Sequence, residues 1–213
     1  MRPTPYLARL ERRAVERALR LRSLADSCSG PVTAEADRLV SFLAIETLNL
    51  WASFARSYYL SCVMGAKTRA GARVTVANAT VRTFDDAIRL AVWTFKPKLK
   101  TSSGPFTHRD EPAWHDTTVL LRLVTAIGSS TTSQTTTALG YSTTVFRDLP
   151  VFRNFFAHRC EGTAVKAANV ARRYSLSPAL RPSEILCARR LGRPQSVLSD
   201  WIDDVRNVVS GLC

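Results

Sequence analysis

Two side chains on one short stretch have the chemistry needed to cut RNA. Arg153 and His158 lie five positions apart in F-R-N-F-F-A-H-R, residues 152–159. Cleavage by the 2′-hydroxyl needs a base for its proton, a cation for the pentacoordinate phosphate and an acid for the leaving oxygen. Histidine exchanges protons near neutral pH, and arginine stays charged and holds phosphate oxygens with a planar fork. Asn154 is suited to orient the imidazole or the phosphate through its amide.

A helix through this stretch would separate apolar from polar side chains. The apolar positions fall within an arc of about 140° at about 100° per residue, and they are Val151, Phe152, Phe155 and Phe156. The polar side would carry Arg153, Asn154, Ala157, His158 and Glu161. Because Arg153 and His158 are about 140° apart around the axis, one helix does not stack them. They can meet if the arginine side chain curls along the helix, or if a two-fold dimer supplies the same groups from a partner helix.

The segment R-N-F-F-A-H resembles the motif of HEPN-domain ribonucleases, in which an arginine, usually followed by a polar residue, comes a few residues before a histidine. The preceding D-L-P-V-F and the following Arg159 also resemble the surroundings of that motif. The resemblance covers the helical region from about residue 33 to 175, and its specific part is the motif. It implies an all-helical domain that dimerises so that two motif helices face each other across a composite RNA-cutting site. The implied products carry 2′,3′-cyclic phosphate ends.

The same resemblance implies a biological setting. Proteins of this family are commonly toxins or abortive-infection and anti-phage effectors, so an antitoxin or a sensor protein is an expected partner beside RNA and a second copy of the chain. One residue departs from the toxins that are paired with nucleotidyltransferases, which have Tyr two positions after the motif histidine. Cys160 stands there in this chain. Silencing by adenylylation of that tyrosine is therefore not expected.

Other interpretations of these residues remain open. His158 would suit a structural hydrogen-bonded histidine, and Arg153 an ordinary surface ion pair. A HEPN fold that binds RNA or a partner without cutting is the main alternative function. Glu46 and Arg56 interrupt an apolar predicted helix and, with Arg159, are candidates for supporting the site. The alternative for Glu46 and Arg56 is a structural pair or a contact with a loop.

The charge of the chain favours a polyanionic partner. There are 30 Lys and Arg against 17 Asp and Glu, which gives a net charge of +13 and a pI near 10.3. A field of that sign attracts polyanions, so nucleic acid or an anionic membrane surface is the natural partner, and the alternative is that the excess charge only keeps the protein soluble. The arginines are spread along the chain, as expected for a charged folded surface. The most apolar stretch, residues 39–64, is interrupted by Glu46, Asn49 and Arg56 and does not read as a membrane span. No membrane partner is expected, and the cytoplasm is the simplest location.

Cysteine and metal-ligand spacing exclude two further classes. The five cysteines, at positions 28, 62, 160, 187 and 213, are odd in number and show no paired C-x-x-C spacing, so neither a disulfide framework nor a zinc site is expected. No cluster of Asp, Glu, His or Cys has metal-ligand spacing. We therefore expect no cofactor and a metal-independent cleavage in which arginine stabilises the charge.

The elements that must position the site are helical. Apolar residues at spacings of three and four predict about six helices and no convincing strand, over residues 7–24, 33–62, 80–95, 114–127, 148–173 and 195–209. The first predicted helix, residues 7–24, is strongly basic. The sequence also predicts a loop at residues 64–73 and a mobile loop at residues 98–112. Residues 129–145 are rich in Ser and Thr and are left unassigned. We expect one all-α, HEPN-like bundle spanning residues 1–213 and forming a dimer.

Overall fold

The fold is all-helical, as the sequence predicts. The computed structural model describes residues 1–28, 32–101, 106–141 and 143–213. Within these ranges there are nine α-helices, more than the six expected, and only isolated β-bridges outside them. In chain order, the helices are α1 (Leu7–Asp26), α2 (Ala34–Val63), α3 (Phe84–Phe95), a 3-10 helix (Pro97–Thr101), α4 (Thr117–Ala126), α5 (Thr132–Leu139), α6 (Val145–His158), α7 (Glu161–Arg173), α8 (Pro182–Cys187) and α9 (Val197–Leu212).

Where local capping chemistry is strong, it sets the helix ends. Helices α1, α2 and α9 lie close to their predicted ranges, and the predicted loop at residues 64–73 contains no helix. Helix α3 begins at Phe84 and not near Thr80, because Thr83 caps it. The Thr83 Oγ1 accepts a hydrogen bond from the Asp86 N–H at 3.1 Å, and the Asp86 carboxylate accepts one from the Thr83 N–H at 2.9 Å. Helix α4 begins later than predicted for the same reason, since the Asp116 carboxylate caps the Thr118 N–H at 2.9 Å.

The predicted single helix over residues 148–173 is wrong in two respects. The observed helix starts earlier than predicted, at Val145, so Asp148 is a buried residue of α6 and not its N-cap. It is also broken into α6 and α7, because Arg159 takes a left-handed conformation with φ of +41° and Cys160 is extended. Neither residue is Gly or Pro, so the usual signals of a helix end are absent from the sequence.

Three segments that the sequence left open or treated as loops contain short helices. Helix α5 lies in the Thr-rich region, where the Tyr58 hydroxyl lies 3.3 Å from the Oγ1 of the buried Thr135. Burial of that face stabilises a helix that β-branched residues alone favour weakly. Helix α8 lies in the predicted connection 175–194. In the predicted mobile loop 98–112, residues 98–101 belong to the 3-10 helix, and residues 102–105 lie outside the described part of the chain.

The chain divides into two compact units. The first unit comprises Met1–Val15, Trp51–Tyr141 and Val208–Cys213, and the second comprises Glu16–Leu50 and Ser142–Asn207. The core of the first unit is aromatic: the Tyr59 hydroxyl donates to the Ala87 carbonyl at 3.0 Å, and the Trp51 Nε1 donates to the His115 carbonyl at 3.1 Å. These bonds fasten α2 to α3 and to the segment before α4, and they satisfy the polar atoms of the buried rings.

The second unit positions the motif. Helices α6 and α7 pack against each other, and α7 packs against α8. The Phe152 ring of α6 meets the Trp201 ring of α9 edge to face, with centroids 5.6 Å apart, and both side chains are fully buried. This aromatic contact fixes the rotation of α6 about its axis, and that rotation decides which of its side chains reach solvent.

Candidate functional site

The two faces of α6 are divided as the helical wheel predicts, except that Glu161, predicted on its polar side, belongs to α7. Phe152 and Phe156 are buried, and Val151 and Phe155 are half-buried. The opposite side is solvent-exposed and carries Arg153, Asn154, Ala157 and His158. The predicted polar, functional face of the motif helix is thus an exposed surface of the second unit.

Arg153 and His158 are both available to a ligand. The only side-chain hydrogen bond of Arg153 within the described residues is to its neighbour, from Nη1 to the Asn154 Oδ1 at 3.2 Å. The His158 side chain forms no hydrogen bond or ion pair with any residue that the structure describes. His158 is the last residue of α6. A cation and a proton-transfer group therefore share one exposed helix end.

Arg159 ends the motif helix and fastens it to α2. Its N–H donates to the Phe155 carbonyl at 2.6 Å. Its Nη2 donates to the Asp37 carboxylate at 3.0 Å and to the Ser41 Oγ at 3.2 Å. Burial raises the pKa of Asp37, but hydrogen bonds from Ser183 and Arg159 outweigh it and leave that pKa lowered. These contacts give Arg159 a structural role and engage its guanidinium.

A buried anion that sequence reasoning missed holds α6 to the end of α7. Asp148 is fully buried, and its carboxylate accepts hydrogen bonds from Arg147 at 2.8 and 3.0 Å, from the Arg173 Nη2 at 2.5 Å and from the Tyr174 hydroxyl at 2.6 Å. Burial raises its pKa, but the bonds from Arg147, Tyr174 and Arg173 outweigh it and hold the pKa below its ordinary value. Burial, followed by the bond to Asp148, raises the pKa of Tyr174 to about 12. The sequence signal for this role was that Asp148 lies on the same side of the helix as the apolar residues Val145 and Phe152.

The two polar residues of α2 have different partners. Glu46 pairs with Arg17 of α1 and accepts a hydrogen bond from the Asn49 amide at 3.0 Å. Arg56, in the first unit, donates to the Glu111 carboxylate at 2.6 and 2.8 Å. The idea that Glu46 and Arg56 pair with each other is therefore wrong, and the alternative that Arg56 faces a loop is correct. The Glu46 side chain shares no hydrogen bond with Arg153 or His158 in the described ranges.

Cys160 is the exposed first residue of the turn into α7. Its Sγ lies 3.5 Å from the Thr163 Oγ1, and its N–H donates to the same oxygen at 3.3 Å. Hydrogen bonds from the Thr163 side chain and backbone lower the pKa of the Cys160 thiol. All five cysteines are free.

Three findings bear on how the site can be interpreted. Across the described ranges, no group of three or more His, Cys, Asp or Glu side chains is arranged to hold a metal ion. None of the helices there combines the length and the apolar content needed to cross a bilayer. No protein-family model, no curated protein and no solved structure matches this chain.

Proposed function

We propose that this chain is a HEPN-type endoribonuclease that cuts RNA without a metal ion, with Arg153 and His158 as its catalytic residues. The observation that carries the proposal is the exposure of Arg153, Asn154 and His158 on one side of α6, while Phe152 and Phe156 of the same helix are buried. The neighbouring Arg159 is tied to Asp37, whereas Arg153 has no acidic partner among the described residues. That difference between the two arginines of the motif segment supports a ligand-binding role for Arg153.

The proposed reaction is an internal transfer at phosphorus. A base, His158, removes the proton of a ribose 2′-hydroxyl, whose oxygen then forms a bond to the adjacent phosphorus. Arg153 stabilises the charge on the equatorial phosphate oxygens. The bond from phosphorus to the 5′-oxygen breaks, that oxygen takes up a proton from an acid, and the products are a 2′,3′-cyclic phosphate and a free 5′-hydroxyl. Asn154 would orient the phosphate or the imidazole.

The proposed active form is a two-fold dimer. Arg153 and His158 point about 140° apart on one helix, so a second α6 is the simplest source of the complementary group. In that arrangement the histidine of one chain and the arginine of the other share a cleft. A role as a toxin or anti-phage effector, with an antitoxin or sensor protein as partner, belongs to the same proposal and follows from the family resemblance alone.

The first test is cleavage of RNA in excess chelator. We expect the wild-type protein to cut and to leave cyclic phosphate ends, and His158→Ala and Arg153→Ala each to lose activity by about a hundredfold or more. Both variants should keep the helical circular dichroism signal, because truncating an exposed side chain leaves no core cavity.

Two matched controls make this test specific. His108→Ala removes another exposed histidine, and Arg172→Ala removes an exposed arginine whose Nη1 also donates to a nearby asparagine, Asn169, at 2.5 Å. Both controls should cut at wild-type rates. RNA that stays bound but uncut by every form of the protein would instead favour the non-catalytic binding module, and loss of cutting in chelator with rescue by Mg²⁺ would reject a metal-independent reaction.

The second test addresses the dimer. Homodimers of Arg153→Ala lack both phosphate clamps and homodimers of His158→Ala lack both bases, so each should be inactive. Mixing the two variants under conditions that allow subunit exchange should make about half of the dimers mixed, and part of the wild-type rate should return. A mixture that remains as inactive as its parents, after exchange is verified by mass spectrometry, would contradict the shared cleft.

A further inference from the structure

Five cations gather around the C-terminal end of α3 in the first unit. We call them the α3-end cluster: Lys96, Lys98, Lys100, Arg109 and Arg122. The Lys96 Nζ donates to the Arg109 carbonyl at 2.7 Å, which brings the turn at residues 107–110 against the end of α3. The guanidinium of Arg122, on α4, lies over the Phe95 ring at 5.1 Å from its centroid. Three segments distant in sequence therefore contribute to one cationic surface.

Two acids directly follow Arg109 in sequence, and both already accept hydrogen bonds. Asp110 accepts hydrogen bonds from the Thr107 N–H at 2.7 Å and from the Thr107 Oγ1 at 2.9 Å. Glu111 is held by two of the guanidinium nitrogens of Arg56 and by the Trp114 Nε1 at 2.8 Å. In the described part of the chain, the side chains of Lys98, Lys100 and Arg109 form no ion pair, and all three are exposed. The cluster thus keeps an excess of positive charge.

The end of a helix explains only part of this cluster. Lysines that follow a helix are favoured by the negative end of its dipole, which accounts for Lys96 and Lys98. Arg109 and Arg122 belong to other segments, and the dipole of α3 gives no reason for them to converge there. Bringing like charges together is unfavourable unless a polyanion neutralises them. A series of phosphates satisfies this requirement, because each one binds a Lys ammonium or an Arg fork.

We propose that the α3-end cluster is a binding surface for the phosphate backbone of RNA, independent of base sequence. An anionic membrane is the less suitable partner, because surfaces that bind lipid usually insert large apolar side chains beside their cations. The exposed large apolar side chain of α3, Phe84, is at the opposite end of that helix, and between residues 85 and 140 the described part of the chain exposes no other. The surface shares its partner with the proposed ribonuclease but lies in the unit without the motif, and it requires no step of catalysis.

The experiment measures binding of a fluorescent single-stranded RNA with 2′-O-methyl riboses, which cannot undergo 2′-hydroxyl attack. The variant combines Lys98→Gln, Lys100→Gln and Arg109→Gln. We expect its Kd to rise about tenfold near 0.1 M salt, and the slope of log affinity against log salt to decrease by about 2, as for three lost phosphate contacts on a single strand.

The matched control removes the same charge from exposed positions of the second unit, with Arg38→Gln, Arg189→Gln and Arg193→Gln. Its Kd should change by less than about twofold. An equal loss in both triple variants, or no loss in the first, would overturn the proposal. So would loss of binding to phosphatidylserine vesicles with unchanged RNA affinity. Because this RNA cannot be cut, a negative cleavage result at His158 would leave the binding result intact, and the two proposals can fail separately.

Discussion

The two units carry the same number of cations but use them differently. The first unit has fifteen Lys and Arg against six Asp and Glu, a net charge of +9, and the second has fifteen against eleven, a net charge of +4. Many arginines of the second unit are held by acids, including Arg22 by Asp203, Arg159 by Asp37 and Arg190 by Asp200. Most of the net charge therefore lies in the unit without the motif.

This contrast shows that the basic character of the chain and its R-N-F-F-A-H motif are separate observations. The high pI does not support the motif directly, since Arg153 and His158 lie in the less basic unit. What separates Arg153 from Arg159 is local: Arg153 lacks an acidic partner among the described residues, whereas Arg159 is held by Asp37. The α3-end cluster differs because it lies in a unit with only six Asp and Glu, so few acids are available to neutralise it.

The largest stability effect should come from the buried acid of the second unit. Asp148→Ala should lower the free energy of unfolding by about 3 kcal/mol, because it removes hydrogen bonds from two arginines and a tyrosine at a fully buried position. In the first unit, Glu111→Ala removes a nearly buried acid and should lower the free energy of unfolding by about half as much. The loss is smaller because its partner Arg56 is partly exposed and can be solvated. Urea unfolding of both variants measures the difference.

Acidification sharpens the same comparison. The pKa of Asp148 is lowered in the folded state, so its carboxylate contributes fully above the ordinary aspartate pKa of about 3.9 and loses that contribution as the pH falls through the lower folded pKa. The stability difference between the wild type and Asp148→Asn should therefore shrink from pH 7 to about pH 3. A difference that does not change with pH would show that the shape of the side chain matters and its charge does not. Equal costs for Asp148→Ala and Glu111→Ala would remove the contrast between the units.

The smallest effect concerns left-handed backbone positions, which the units also fill differently. Among the described residues, those of the first unit are the glycines Gly65, Gly71 and Gly128, whereas the second unit includes Arg159 and Ser175. Arg159→Gly and Arg159→Ala lose the same contacts with Asp37 and Ser41. The glycine variant should nevertheless be more stable by about 1 kcal/mol, because only the alanine variant keeps the strain of a Cβ at φ of +41°. Thermal unfolding of the two variants gives this difference.

The counterpart in the first unit is Gly128→Ala. Gly128 has φ of +60°, and an added Cβ would lie 2.8 Å from the Ala77 Cβ, so this variant should be clearly less stable than the wild type. If Arg159→Gly proves no more stable than Arg159→Ala, the left-handed position of Arg159 carries no strain.

Several features of this protein follow from its sequence alone. Apolar spacing identifies the all-helical class and the limits of α1, α2 and α9, because each amphipathic helix must bury one face. The same spacing assigns Phe152 and Phe156 to the core and Arg153, Asn154 and His158 to the surface. This division depends only on helical geometry and on which side chains are apolar, and both are local properties.

The tertiary structure decides what depends on residues far apart in sequence. The left-handed turn at Arg159 ends α6 although no Gly or Pro marks it, with its guanidinium held by Asp37, 122 positions away. The local sequence predicts Asp148 as an N-cap. In the structure it is a buried anion, because Arg173 and Tyr174 at the end of α7 donate hydrogen bonds to it. Likewise, the partners of Glu46 and Arg56 come from α1 and from the loop before α4. The local sequence pattern assigns a side chain to one face of a helix. The partner that neutralises a charged side chain depends on tertiary packing, because Coulombic and hydrogen-bond contacts depend on distance in space.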